Sequence, residues 1–128
     1  MTKEKKVLLV GHCSPDSSYL TLAVRSICPD AAVQRVNDDT ALMAHLEAGA
    51  DLILVNRMMD GDFKDISGVN AIARYRRLYP TISAMLVSNY TDAQASAIAN
   101  GAAPGFGKSE IGTPKARDAL MAILGNGL

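Results

Sequence analysis

Short runs of apolar residues alternate along the chain with longer segments in which apolar residues recur every three or four positions. The clearest runs are residues 7–10 and 51–56, and a third covers residues 82–87. Runs of this length are typical of strands that are covered on both faces. Weaker runs at 31–36 and 103–107 predict two more strands, so we expect five in all.

Five helices are predicted from their capping signals and apolar stripes. The signals, in chain order, are Ser14–Pro15–Asp16 at the start of the first helix; Asp38 or Asp39 and then Gly49 at the ends of the second; Gly68 before the third; a Thr91–Gln94 capping box and Asn100–Gly101 at the ends of the fourth; and Thr113–Pro114 before the fifth. The apolar stripes include Leu20, Ala23, Val24 and Ile27 on the first helix and Val69, Ile72 and Ala73 on the third. We interpret Arg74, Arg76 and Arg77 as a solvated face of the third helix.

Strands that alternate with helices indicate a parallel sheet with helices on both faces. Right-handed crossovers limit such a chain to a few doubly wound arrangements, and the flavodoxin-like (βα)5 fold, with strand order 2-1-3-4-5, is common at this size. We therefore predict an α/β fold of this type. We expect one domain over residues 1–128, with no output domain after it. In such sheets the functional residues lie at the carboxyl ends of the strands.

The charge balance argues against one broad class of partner. Thirteen basic and thirteen acidic residues give a formal net charge of zero, so no overall field attracts nucleic acid or an anionic membrane. No apolar run approaches the roughly 20 residues that cross a bilayer, and we expect a soluble cytoplasmic protein.

Cys13 and Cys28 flank the first predicted helix, which holds them too far apart for a disulfide, so we expect free thiols.

Three fragments of the sequence carry a resemblance to a known family. They are residues 47–55 (EAGADLILV), residues 87–89 (VSN) and residues 100–108 (NGAAPGFGK). Together, and in this order, they resemble the receiver domains of bacterial response regulators over nearly the whole chain. The resemblance implies the flavodoxin-like fold and a role in two-component or phosphorelay signalling.

The same resemblance implies a site of three carboxylates around a magnesium ion, one of them being the phosphoacceptor. In this sequence the two acidic positions after the first strand hold Gly11 and His12, and the phosphoacceptor position holds Asn56. An asparagine amide is a poor nucleophile, so Asn56 is not expected to form an acyl phosphate. Without the acidic ligands we expect no metal and no cofactor.

Two other family positions are retained and two are changed. Ser88 stands where the switch hydroxyl is expected, and Lys108 stands where the conserved-type lysine is expected. The aromatic switch position falls on Gly105, and Ser109 replaces the proline that usually follows the lysine. We expect Lys108 to pair with the Asn56 carbonyl or with a loop carboxylate such as Asp60, because an unpaired, partly buried lysine is costly.

The loop that follows the third strand holds three carboxylates, Asp60, Asp62 and Asp65. We expect a solvated loop, and binding of a divalent ion is the alternative. A further alternative is a partner-binding lip formed by Met58, Met59 and Phe63. Outside the loop, His12 beside Cys13 leaves two alternatives for that thiol, inert or redox-sensing.

The leading hypothesis is a non-enzymatic receiver-like module that acts by protein contacts and is not phosphorylated. The resemblance implies a protein partner on the face of the fourth helix, fifth strand and fifth helix, residues 91–100 and 103–124. That partner would be a sensor kinase, an output protein or a second copy in a homodimer. The alternative is a ligand sensor that binds a small anion or nucleotide in a pocket lined by Gly11, His12, Asn56, Ser88 and Lys108.

Overall fold

The computed structural model describes residues 4–125, in which five strands alternate with five helices. In chain order these are β1 (Lys6–Val10), α1 (Ser14–Ile27), β2 (Ala32–Val36), α2 (Asp39–Ala48), β3 (Leu52–Asn56), α3 (Gly68–Leu78), β4 (Ser83–Val87), α4 (Thr91–Ala99), β5 (Ala103–Phe106) and α5 (Pro114–Leu124), with a 3₁₀ turn at Lys108–Glu110. The strands are parallel and lie in the order β2-β1-β3-β4-β5, which confirms the predicted flavodoxin-like fold. The two ends of the expected domain, residues 1–3 and 126–128, lie outside the described residues.

The continuous apolar runs arise because the three central strands are buried on both faces. Val7 and Leu9 of β1 point into the core formed with α1 and α5, whereas Leu8 and Val10 point into the core formed with α2, α3 and α4. The strands β3 and β4 alternate in the same way. In the part of the chain that the structure describes, no helix combines the length and apolar character needed to span a bilayer.

Three of the predicted caps differ from what the structure contains. Asp38 caps α2 as expected, since its carboxylate accepts a hydrogen bond from the Ala41 N–H at 2.7 Å. Ser14, by contrast, is already the first residue of α1. Thr91 is the first residue of α4, so the predicted capping box is wrong. Thr113 occupies the N-cap position of α5, but its hydroxyl donates to the Glu110 carbonyl.

The face that α3 turns towards the sheet also differs from the prediction. Ala71, Ile72 and Tyr75 are buried there, and Ala73 is only partly covered. The predicted solvated arginine face is wrong for two of its three members. The Arg74 side chain lies 2.8 Å from Asp65, and Arg76 donates to three backbone carbonyls, so only Arg77 stays exposed.

One buried side chain after β1 is titratable. The imidazole of His12 is fully buried, and its Nε2–H donates to the Leu54 carbonyl at 2.8 Å. Its Nδ1 has no partner among the described residues. Burial lowers the pKa of His12 to about 4 from 6.5, because a charged imidazolium would lose its hydration there.

We expect His12 to make the fold less stable in mild acid. Its pKa is lower in the folded chain than in the unfolded chain, so the unfolded state binds more protons between about pH 6.5 and pH 4. The contribution of His12 is therefore complete above that window and is lost as the pH falls through it. The free energy of unfolding should fall by about 3 kcal/mol on this account. Urea unfolding across the window should show a flatter pH dependence for His12→Gln but not for His45→Gln. Parallel pH profiles for the wild type and His12→Gln would contradict the assignment.

Candidate functional site

Three of the predicted site residues meet at the carboxyl edge of the sheet. Asn56 ends β3, Ser88 follows β4, and Lys108 opens the 3₁₀ turn after β5. They line a cavity of about 130 Å³ whose other lining residues are Arg57, Met58, Asn89 and Tyr90. Gly11 and His12, which the sequence placed in the same pocket, do not line it.

Gly11 is covered by the chain itself. Its φ of +75° is a left-handed conformation that favours glycine. A Cβ atom built on Gly11 would lie 3.0 Å from the Met59 Sδ and 3.1 Å from the Met59 Cα. The Gly11 carbonyl accepts hydrogen bonds from the Asp60 N–H and from the Asn56 Nδ2, both at 2.9 Å. The position that the resemblance assigns to a carboxylate is therefore occupied by the backbone and side chain of Met59.

The loop between β3 and α3, residues 57–67, is held on both sides. Its two ends pair with each other, since the Met59 N–H donates to the Ile66 carbonyl at 2.8 Å. Its middle pairs with the end of β2, since the Asp62 N–H donates to the Asn37 carbonyl at 2.8 Å. Gly61 is required at this crossing, because a Cβ atom there would overlap the Asn37 carbonyl oxygen. The loop is thus bonded through its backbone across the end of β1, and six of its eleven residues, including Asp60 and Asp62, are exposed to solvent.

The carboxylates of this loop do not gather into one site. Asp65 pairs with Arg74, whereas Asp60 and Asp62 are exposed. Among residues 4–125, no three His, Cys, Asp or Glu side chains are placed to share a metal ion. Of the predicted lip, Met59 and Phe63 pack against the core and Met58 alone is exposed, at 53%.

The residues at the positions that the resemblance assigns to the metal site do not fit a magnesium ion. Magnesium requires a nearly octahedral set of oxygen ligands, usually with carboxylates among them. Gly11 has no side chain, and His12 is buried and presents no oxygen. Asn56 supplies one amide oxygen, since its Nδ2 is committed to the Gly11 carbonyl. We therefore derive no chemistry from a metal in this chain.

Ser88 and Asn56 are the two buried polar residues that line the cavity, and we call them its floor. Ser88 is 4% exposed, and its Oγ accepts a hydrogen bond from the Tyr90 N–H at 3.1 Å. Its hydroxyl donates to no described residue. The Oδ1 of Asn56 accepts from no described donor and keeps some access to solvent. The cavity therefore offers one free hydroxyl donor and one free amide acceptor.

Lys108 has a partner that the sequence did not predict. Its Nζ lies 3.2 Å from the carboxylate of Asp16 in the first turn of α1. The expected pairing with Asn56 or Asp60 is wrong. In the sequence, Asp16 is part of the start signal of α1, and nothing in its local pattern indicates that it faces the end of β5.

The position of the aromatic switch cannot hold an aromatic ring. A Cβ atom on Gly105 would lie 2.1 Å from the Leu86 carbonyl oxygen. The side chain of Gln94 fills the adjacent space, and its Nε2 donates to the carbonyls of Leu86 and Ser88 at 2.8 and 3.1 Å. Phe106, next to Gly105, is fully packed in the core. Gln94 therefore bonds the ends of β4 and β5 together beside the position that the resemblance assigns to the aromatic switch.

Arg57 and Tyr90 are functional candidates that the sequence analysis did not identify. The guanidinium of Arg57 lies 4.2 Å from the centroid of the Tyr90 ring, a cation–π contact. The available signal was positional, because Arg57 directly follows Asn56 and Tyr90 stands two residues after Ser88.

Comparison with known proteins gives results at the level of structure only. No protein-family model matches this chain, and no curated protein matches it.

Solved structures of response regulators do resemble it. The non-phosphorylated receiver domain of the stress response regulator RcsB from Escherichia coli is similar at a TM-score of 0.74 and 21% identity, over 94% of this chain and 95% of that one. NtrX from Brucella abortus is similar at a TM-score of 0.70 and 20% identity, over 98% of this chain and 27% of that one. A response regulator from Thermotoga maritima is similar at a TM-score of 0.65 and 17% identity, over 82% of this chain and 83% of that one. This chain therefore has the fold of a response-regulator receiver domain.

Proposed function

We propose that this chain is a receiver-like signalling module of the two-component or phosphorelay type that acts by protein contacts and is not phosphorylated on Asn56. The observation that carries the proposal is that Met59 and the Asp60 amide pack against Gly11, the residue that the resemblance assigns to the first acidic metal ligand. Restoring one carboxylate would not restore such a site, because the loop would still cover it.

The chemistry of Asn56 supports the same proposal. Its amide is neutral, and its Nδ2 is already bonded to the Gly11 carbonyl. Phosphoryl transfer depends on positioning and on charge stabilisation by a metal. With neither an attacking carboxylate nor the oxygen ligands for a cation, the pocket is suited to binding and not to catalysis.

The contact surface of the proposed module is the face formed by α4, β5 and α5. It carries two exposed apolar side chains, Ile98 at 46% and Met121 at 39% exposure. Many α4 residues on the solvent side are small, which lets a partner backbone approach closely. The partner would be a sensor kinase, an output protein or a second copy of this chain.

A second candidate function is the sensing of a small anion. The cavity between Asn56, Ser88 and Lys108 is lined by two cations and by no carboxylate, which favours an anion there. At about 130 Å³ it is below the 300–1,000 Å³ of typical ligand sites, so a nucleotide is too large for it.

We expect no phosphorylation of the wild-type chain by acetyl phosphate with magnesium. Backbone amide NMR signals of Asn56, Ser88 and Lys108 should not shift on adding these reagents or a beryllofluoride mimic, and intact mass should not increase by a phosphoryl group. Asn56→Asp should behave in the same way, because Gly11 and His12 still provide no metal ligands. Saturable shifts at these residues in the wild type would overturn the proposal, and a phosphoryl adduct on Asn56→Asp alone would show that the loop does not block the site.

We expect Ile98→Asp to weaken partner binding or self-association by about tenfold or more, because it places a charge in an apolar contact. Leu22→Asp is the matched control, since Leu22 is 68% exposed and belongs to α1, which is not part of this face. Sedimentation velocity tests self-association, and affinity purification with each variant tests other partners. Equal losses for both variants, or none for Ile98→Asp, would exclude the α4–β5–α5 face.

A further inference from the structure

The small cavity is lined by two cations and by no carboxylate. These cations are Arg57 and Lys108, and the Asp16 carboxylate, which lies outside the lining, pairs with Lys108 at 3.2 Å. The guanidinium of Arg57 lies over the Tyr90 ring and makes no hydrogen bond or ion pair with any described residue. Its planar set of five N–H donors is therefore available to an incoming group with acceptor oxygens.

Apolar surface lies directly beside these cations. Met58 is 53% exposed and Tyr90 is 61% exposed, and both line the same cavity as Arg57. Methionine, tyrosine and arginine are the side chains that protein interfaces favour over ordinary surface. We call Arg57, Met58, Tyr90 and Lys108 the rim.

The floor of the cavity adds two polar atoms of opposite kind. Ser88 offers a hydroxyl donor, and Asn56 offers the Oδ1 acceptor. Inorganic phosphate keeps a P–OH donor near neutral pH and can meet both atoms, but it has no apolar group to pack on Met58 and Tyr90. A peptide presents all three kinds of group, because an acidic side chain accepts, a backbone N–H donates and an apolar side chain packs.

We infer that the rim is a docking surface for a segment of a partner protein that carries an aspartate or glutamate next to an apolar side chain. The carboxylate lies between Arg57, Lys108 and the Ser88 hydroxyl. The apolar neighbour packs on Met58 and Tyr90, and a backbone N–H of the segment meets the Asn56 Oδ1. The charge of the site favours an acidic occupant, because both charged residues that line the cavity are cations.

The size of the cavity agrees with this occupant. About 130 Å³ admits one short side chain, so the rest of the segment lies across the exposed rim. Asp16 already pairs with Lys108, and the incoming carboxylate shares that lysine and engages Arg57 in full. This surface adjoins the α4–β5–α5 face, since Tyr90 is the N-cap of α4 and Lys108 follows β5. The inference rests on the proposed function, because a phosphorylated pocket would exclude a carboxylate.

A peptide selection on the whole chain tests the inference. A random linear peptide library displayed on phage is selected against the wild-type protein, and the enriched sequences are made as synthetic peptides. We expect enrichment of an acidic residue beside an apolar one. Fluorescence anisotropy should show a loss of about tenfold or more for Arg57→Gln and for Tyr90→Ala. Arg25→Gln, which removes an exposed cation from α1, is the matched control and should bind like the wild type.

Exchange of the peptide's own acid for its amide should weaken binding by a similar factor. No enrichment, enriched peptides without an acidic residue, or equal binding to Arg57→Gln would each overturn the inference. Arg57→Lys keeps the charge and loses the planar donors, so an intermediate loss is expected and full retention would exclude bidentate contact. The two experiments can fail separately. Phosphorylation of the wild type by acetyl phosphate would reject the proposed function, whereas the peptide result is obtained on the unmodified chain and would still stand.

Discussion

The site depends on the carbonyl oxygen of Gly11, which accepts hydrogen bonds from two directions. The Asp60 N–H holds the β3–α3 loop across the end of β1, and the Asn56 Nδ2 fixes the amide at the end of β3. Both contacts require residue 11 to be a glycine, because its φ is +75° and Met59 fills the space of a Cβ atom. The closed loop, the orientation of Asn56 and the exclusion of Gly11 from the cavity all follow from this one position.

No carboxylate lines the cavity, so its two cations contact other groups. Lys108 pairs with Asp16 on α1, and Arg57 lies over the Tyr90 ring. On the far side of the loop, Arg74 holds Asp65 and lies 3.5 Å from Asp39, which also accepts the Lys64 N–H. Burial raises the pKa of Arg74's neighbour Tyr75 well above its ordinary range, so Tyr75 stays a neutral donor to Asp39. The Arg74–Asp65 pair thus holds the loop against α3. Arg57 and Lys108 remain as the two charged residues that line the cavity.

The sequence predicted the fold well because its signals are local. The runs at residues 7–10 and 52–55 alternate between two cores, and that pattern is readable without coordinates. The contacts that decide the site are not local. Asp16 and Lys108 are far apart in the chain, and the loop bonds to Asn37 through backbone atoms that carry no sequence signal. Gln94 was misassigned for a different reason. The Thr91–Gln94 spacing is that of a capping box, but α4 begins at Thr91, so Thr91 is not the N-cap residue.

The lack of space for an aromatic side chain at Gly105 constrains how such a module can transmit a signal. A ligand shifts an equilibrium only if it binds two conformations with different affinity. Gly105 leaves no room for a rotating ring, and Gln94 bonds β4 to β5 at the point where that motion would occur. The loop over β1 is bonded to Ile66 on one side and to Asn37 on the other. Backbone and amide hydrogen bonds therefore fix the elements that a phosphoryl group would move. In the proposed role, the signal is which partner is bound and on which surface. The cationic rim around Asn56 and the α4–β5–α5 face adjoin at Tyr90 and Lys108, so a partner that binds one surface changes how much of the other stays accessible.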